Sequence, residues 1–337
     1  MPSTRRGFTL IELLVVIAII ALLVGILLPS LASARKEAQA TKTASNIRGV
    51  GLGVAIYNAE NRDLMPVSYA YADAVGSSTW RLQDQGDSNL GANGYIHWSY
   101  AIFNGDKTNS ECFTSPAVPK GGAPRTNPGA DSEDWETGQV NDLGQTVGAA
   151  NPEDRQVKRA AFTGNAAIFP RNKFNGSGLR KNRFVKANEI TDSGKTILAT
   201  EWLYTGGWKS LMTDASIIKS HRAISPIIGG SSGANVYNEA DSGGNTARFF
   251  YPNLNELRPL DQLQGGNLME EGGPSQINLV GRQQPGAKDQ FGGGAHFVFV
   301  DSHVERMTAA QSLQKRLWGD RYYSLTGNNK ISTSNFN

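Results

Sequence analysis

The chain has 337 residues, enough for one large domain or two ordinary ones, with 33 Lys and Arg against 30 Asp and Glu for a formal net charge of +3. That near balance excludes a general polyanion binder, and a single cysteine, Cys112, excludes an intramolecular disulfide framework. With 39% hydrophobic residues spread over most of its length, the chain is neither a polytopic membrane protein nor disordered.

The first predicted element is a helix in the apolar run. From Phe8 to Leu28 every residue is apolar or small except Thr9 and Glu12, and about 20 such residues cross the roughly 30 Å hydrocarbon core of a bilayer. Arg5 and Arg6 precede the run, which predicts a cytoplasmic N-terminus and an exported remainder. A secretory signal has an apolar region of about 7–15 residues, whereas this run continues into Ala32, Ser33 and Ala34 without losing helical character. A plain signal anchor accounts for the length and the arginines but not for Glu12, because a lone carboxylate in lipid is by default a functional group with a partner.

Arg-Gly-Phe-Thr-Leu-Ile-Glu-Leu, positions 6 to 13, resembles the class III signal of type IV prepilins and type II secretion pseudopilins. The resemblance implies cleavage by a prepilin peptidase between Gly7 and Phe8 and N-methylation of Phe8. Glu12 and Pro29 then fall where that family carries a glutamate and a helix-loosening proline. It further implies a structural subunit, not an enzyme and without cofactors, that assembles into a type IV pilus or a secretion pseudopilus. The implied partners are copies of itself, sister pilins, and an inner-membrane assembly platform with its cytoplasmic ATPase. Localisation would be the bacterial inner membrane in a single pass, with the C-terminal domain periplasmic, and then a filament or the cell surface. In physical terms, cutting after Gly7 places a charged amine in an apolar bundle, and Glu12 of a neighbouring subunit can neutralise it. Pro29 lacks an N–H, so the helix can bend there.

The expected organisation is a leader (1–7), a membrane or filament-core helix (8–28), its amphipathic continuation (29–61) and an exported α+β domain (62–337). Leu31, Ala34, Ala38, Ile47, Val50, Val54 and Tyr57 recur on one helical face, predicting a helix from Phe8 to about Asn61 and near 80 Å long. Gly49, Gly51 and Gly53 do not match G-x-G-x-x-G and follow no strand, so close helix packing accounts for them better than a phosphate loop. Beyond Asn61 the chain is rich in glycine, with 38 in all, which predicts short strands between long loops. The strand signals are strongest at 159–170, 195–204 and 295–307, and predict an antiparallel sheet against the long helix.

The last of these reads as a hairpin with a two-residue Asp301-Ser302 turn, Phe299 facing Val304, Val300 facing His303, and Phe297 and Phe299 sharing a buried face. "QFGGGAHFVFVDSHVE" also resembles the C-terminal signature of a large pseudopilin-like branch, with Phe291 in place of a His and Ser302 in place of a Gly. Residues 184–202 and 220–224 look like further landmarks of that branch.

Catalytic signals are weak. His97, His221, His296 and His303 form no H-x-x-x-H pair. Asp301, His303 and Glu305 alternate as a conceivable cation trio, but the turn explains Asp301 better, and no metal site is predicted. Cys112 reads as an inert buried thiol, and the resemblance places a second cysteine of related chains near Thr43, so this chain lacks that partner. The stretch 169–186 holds Arg171, Lys173, Arg180, Lys181, Arg183 and Lys186 without an acid. Arg180, Lys181 and Arg183 are its candidate phosphate ligands, against the plainer reading of a solvated loop. A minor pilin that binds DNA or another surface ligand is therefore one alternative, although nucleic acid is not the favoured partner, and a signal-anchored extracytoplasmic enzyme is another. Trp80, Trp98, Trp135, Trp202, Trp208 and Trp318 permit a glycan-binding face, though core packing is the commoner use.

Overall fold

The computed structural model describes residues 7, 9–103, 109–176, 179–213, 215–230, 235–241, 248–264, 268–269 and 275–334. Helix α1 runs unbroken from Leu10 to Glu60, 51 residues or about 76 Å at 1.5 Å per residue. It ends because Arg62 and Asp63 adopt left-handed backbone (φ 56° and 67°). The turn is held by the Asn61 N–H donating to Tyr57 O at 2.9 Å and the Asp63 N–H donating to Asn58 O at 2.8 Å.

Only the second half of α1 docks. Ala40, Thr43, Asn46, Ile47, Val50, Gly51, Val54 and Asn58 are buried. Leu31, Ala34 and Ala38 of the predicted stripe stand exposed and Tyr57 is half-buried, which corrects the sequence reading. Those three precede the docked half, and the docked face is completed by polar pairing that periodicity does not register. Asn46 Nδ2 donates to the carbonyls of Glu111 (3.1 Å) and Thr114 (2.8 Å), and the Thr43 and Ser115 hydroxyls lie 2.9 Å apart. The glycines flank this face as expected. A Cβ on Gly49 would stand 2.9 Å from Cys112 Sγ, on Gly51 2.7 Å from Val298 Cγ2, and on Gly53 2.6 Å from Ile102 Cγ2.

The strands are short. In chain order they are β1 (Tyr69–Tyr71), β2 (Tyr95–His97), β3 (Ala123–Pro124), β4 (Arg159–Ala160), β5 (Phe162–Gly164), β6 (Ile197–Glu201), β7 (Ile228–Gly229), β8 (Phe249–Phe250), β9 (Gln284–Asp289), β10 (Gly292–Phe299) and β11 (Val304–Met307). Two short helices, α2 (Trp98–Phe103) and α3 (Ala309–Gln314), complete the regular structure. The main sheet has the order β11-β10-β6-β5, with β9 pairing the glycine-rich start of β10, and every pairing in it is antiparallel. The architecture is α+β, as predicted.

The sheet is a middle layer. All five residues of β6 are buried, Val298 of β10 lies beneath Gly51 of α1, and Phe297 packs edge-on against Trp318 on the opposite face, with ring centroids 6.2 Å apart. Burial on both faces explains why β6 and β10 read as continuous apolar runs rather than as alternating ones.

The predicted hairpin is present, but its register differs by one residue. Val298 pairs with Val304 and Phe297 with Glu305, and the Phe299 N–H donates to His303 O at 3.0 Å. The loop is therefore Val300-Asp301-Ser302, with Ser302 left-handed at φ 70°. A three-residue loop that ends in a left-handed residue preserves the strand twist, and here a serine holds that position. Phe297 and Phe299 are both buried, as expected.

Candidate functional site

The apolar half of α1 carries the features singled out in the sequence. Gly7 is exposed, and Phe8 lies outside the described residues. Thr9 is the N-cap in extended backbone (φ −82°, ψ 151°) and forms a capping box with Glu12. The Thr9 N–H and hydroxyl donate to Glu12 Oε2 at 2.9 and 2.8 Å, and the Glu12 N–H donates back to Thr9 Oγ1 at 3.3 Å. Within one subunit the Glu12 carboxylate thus has a partner of its own, and its second oxygen is open to another.

Every large apolar side chain from Leu10 to Leu28 is exposed, and an 18-residue window of α1 reaches a mean hydropathy of 3.2. From Leu10 to the first docked residue, Ala40, the helix projects for 30 residues, about 45 Å. Soluble monomers rarely expose contiguous apolar patches beyond a few hundred Å². A surface of this extent and length fits a lipid bilayer or a bundle of like helices. Pro29 sits within the projecting part without ending the helix. It supplies no N–H to the carbonyl one turn back, and the Ser30 hydroxyl donates to Leu27 O at 2.8 Å.

The basic stretch is not one patch. Arg180 is buried, and its guanidinium donates to the carbonyls of Glu239 (2.9 Å), Ala240 (3.0 Å), Thr326 (2.9 Å) and Asn328 (2.8 Å) while lying 4.8 Å from the centre of the Phe249 ring. Arg183 pairs with Glu189. Arg171 and Lys173 lie over the Tyr237 ring at 4.3 and 5.0 Å. Lys181 and Lys186 are exposed. Arg180 therefore holds the C-terminal segment in place and is not available to a phosphate, which corrects its candidacy as a ligand. The sequence carried no signal of this, because its acceptors are backbone carbonyls 59 or more residues away.

Three of the four histidines are interior. Glu201 Oε1 accepts from the His296 backbone N–H (2.8 Å) and lies 2.9 Å from its Nδ1, while Oε2 accepts from Gln283 Nε2 (3.1 Å) and Gln284 Nε2 (2.6 Å). His97 Nδ1 accepts the Ser99 N–H at 3.1 Å and faces its hydroxyl at 2.7 Å, and burial pushes this imidazole down to about 3. His221 stacks on Tyr95 with centroids 3.8 Å apart and pairs with the Thr126 hydroxyl at 2.6 Å. Burial, then the Lys219 and Arg222 charges, hold it well below the ordinary histidine range. Beside it, the buried Asp154 accepts from the Tyr95 N–H, the Asn127 N–H and Asn127 Nδ2 at 2.7–2.9 Å. Burial nevertheless pushes its carboxyl up to about 7.

Asp301 and Glu305 do meet at His303, Nδ1 lying 2.6 Å from Asp301 Oδ1 and Nε2 3.5 Å from Glu305 Oε1, with the ring stacked on Phe299. Among the described residues no group of three or more His, Cys, Asp or Glu forms a metal-holding set. Cys112 is half-buried rather than buried, with its sulfur against Gly49. The residue that faces Thr43 is Ser115, three positions further on.

Residues 2–28 match the family model of the prokaryotic N-terminal methylation motif. The chain is also similar to the type IV wide pilus major component PilA4 of Thermus thermophilus, at 64% identity over 36 residues. That match covers 11% of this chain and 28% of the relative, so the likeness is one of a short segment. No solved structure matches. Residues 2–28 thus carry a prokaryotic N-terminal methylation motif, and most of the chain lies outside both matches.

Proposed function

We propose that the chain is a pilin-like structural subunit, cleaved between Gly7 and Phe8, methylated on the new Phe8 amine, held in the bacterial inner membrane by the apolar half of α1, and assembled into a type IV pilus or a type II secretion pseudopilus. The observation that carries this reading is the pairing of a matched methylation motif with a helix that buries none of its first 30 residues, Leu10 to Gln39, in the globular domain. Arg5 and Arg6 orient the N-terminus to the cytoplasm and the domain outward. Prepilin peptidase, an assembly platform with its ATPase, and sister pilins are the partners this role requires. The role is that of a scaffold, without catalysis. The reading as a DNA-binding minor pilin is weakened, since Arg180 is enclosed by carbonyls and Arg183 is paired with Glu189.

Two measurements test the proposal. Mass spectrometry of membrane-extracted protein is expected to show a chain that begins at N-methylated Phe8, and an intact leader or cleavage beyond Leu28 overturns the reading. Glu12→Ala removes a carboxylate that is costly to hold in hydrocarbon, so membrane insertion should persist while crosslinked oligomers disappear. Unchanged oligomers would eliminate Glu12 as the partner of the Phe8 amine.

A further inference from the structure

A polar cleft of about 480 Å³ opens between Arg183, Glu189, Thr191, Arg321, Tyr323 and Asn329. It lies at the end of α1 opposite the apolar segment, because the Ala187 and Asn188 N–H groups donate to the Asp63 carbonyl (2.8 Å) and carboxylate (3.0 Å) in the turn that closes the helix. Its charges are matched locally. Arg183 pairs with Glu189, Arg321 Nε lies 3.8 Å from Asp320, and the same Asp320 accepts from the Tyr323 hydroxyl at 2.5 Å and the Thr191 hydroxyl at 3.3 Å.

This pattern selects a ligand class. A phosphate or carboxylate needs cations free of carboxylates, and a metal ion needs carboxylates free of guanidinium. A guanidinium–carboxylate couple at a cleft wall instead presents donors beside acceptors. That suits vicinal hydroxyl groups, each of which both donates and accepts. The cleft is also within the size range of small-molecule sites.

A second feature begins one residue along the chain from Arg183. The segment 182–186, anchored by bridges from Asn182 to Leu325 and from Lys186 to Leu64, carries Phe184 next to the cleft residue Arg183. Phe184 is 38% exposed and packs with Phe174 and the half-exposed Trp80, ring centroids lying 4.9 to 6.3 Å apart. The other five tryptophans are buried, so Trp80 alone presents an indole at the surface, on an aromatic shelf that begins at the residue after Arg183. Ring faces of this kind take the apolar C–H face of a pyranose.

We propose that this face binds a neutral polysaccharide, one pyranose seated in the cleft with its hydroxyls on the Arg183–Glu189 couple and Thr191, and an adjoining sugar lying on Trp80 and Phe184. The inference stands apart from the assembly reading and survives its failure.

The test uses the full chain in detergent micelles. Binding is measured by biolayer interferometry to immobilised neutral oligosaccharides (α-glucan, β-glucan, β-mannan and chitin series), with polygalacturonate and single-stranded DNA as anionic comparators. The expected result is saturable binding to at least one neutral series, equal at about 0.15 and 0.5 M salt. Affinity should fall about tenfold or more in Trp80→Ala and in Glu189→Gln. Glu189→Gln is isosteric at the surface and keeps the test valid if Trp80→Ala lowers the melting temperature. Absence of saturable binding to every neutral series overturns the proposal. So does equal binding by wild type and both variants. Retention confined to the anionic comparators and lost steeply with salt also overturns it, in favour of a phosphate-type groove.

Discussion

Acid should unfold the globular domain before its surface carboxylates require it, because two histidines are kept neutral inside. An imidazolium at His97 would set an N–H against the Ser99 N–H that Nδ1 now accepts, and burial pushes this group down to about 3. His221 lies between Tyr95 and Tyr69 and faces Lys219 and Arg222, so it too is held well below the ordinary range. Both titrate near 6.5 in the unfolded chain, so stability is lost as pH falls below that value, at about 1.4 kcal/mol per pH unit for His97 down to its folded value. Asp154 has the opposite sign. Its folded value of about 7 lies above its unfolded value near 3.9, so its protonation favours the folded state as pH falls from 7. Over pH 6 to pH 4 the Asp154 gain offsets the His97 loss, about 3 kcal/mol each, so the His221 contribution leaves a net loss of stability as pH falls. His97→Asn keeps an acceptor near the Nδ1 position and removes one titration, so between pH 6 and pH 4 it should lose about 3 kcal/mol less stability than wild type. Urea unfolding of the full chain in mild detergent, followed through the buried Trp98, Trp202, Trp208 and Trp318, measures both slopes. Equal slopes in wild type and variant, or a flat wild type, would refute the reasoning.

Two further substitutions test how the domain is held together. Arg180→Lys replaces a planar fork that serves four carbonyls with three donors on a point charge, so urea unfolding should show a loss of about 2–4 kcal/mol; a change below about 0.5 kcal/mol would sink the stapling role. In a Cys112→Ser background, Thr43→Cys with Ser115→Cys should oxidise to a disulfide visible as a mobility shift on a non-reducing gel, because hydroxyls 2.9 Å apart need to close by less than about 1 Å to reach the S–S length near 2.05 Å. Persistent free thiols in the oxidised double variant would show that α1 does not dock in this register.

The N-terminal element was legible because its signals are local. Glu12, Pro29 and the apolar run need only helical spacing to be placed, and α1 ends within a residue of the predicted Asn61. β6 and β10 were legible for the same reason, as short apolar runs with aromatic and β-branched residues. The hairpin register was not, since whether Ser302 tolerates φ 70° depends on the pull of the strands on either side. The face of α1 that docks was legible only in Ile47, Val50 and Val54. Ala34 and Ala38 have the hydrophobicity for burial but no domain beside them, whereas Thr43 and Asn46 are buried because Ser115 and the carbonyls of Glu111 and Thr114 come to meet them from about 70 residues away. Arg180 failed as a ligand for the same kind of reason. The cleft draws its walls from 183–191 and 321–329, which no spacing rule connects.

The point at which docking begins bears on how such a subunit would work. Ten residues separate Pro29 from Ala40, the first buried residue of α1, a lever of about 16 Å along the axis. Within that lever the Glu37–Arg306 pair, at 2.9 Å and partly exposed, is a contact worth less than about 1 kcal/mol. A bend at Pro29, where the carbonyl one turn back lacks its N–H partner, therefore reorients the apolar segment relative to the domain while leaving every buried contact from Ala40 to Asn58 intact. In the proposed assembly this lets the apolar helices adjust to one another in a bundle while the sheet, the Glu201 network and the distal cleft remain as they are in the single subunit. The rigidity of the docked half and the freedom of the projecting half are then two consequences of one fact, the placement of the first polar anchors, Thr43 and Asn46, beyond the proline rather than before it.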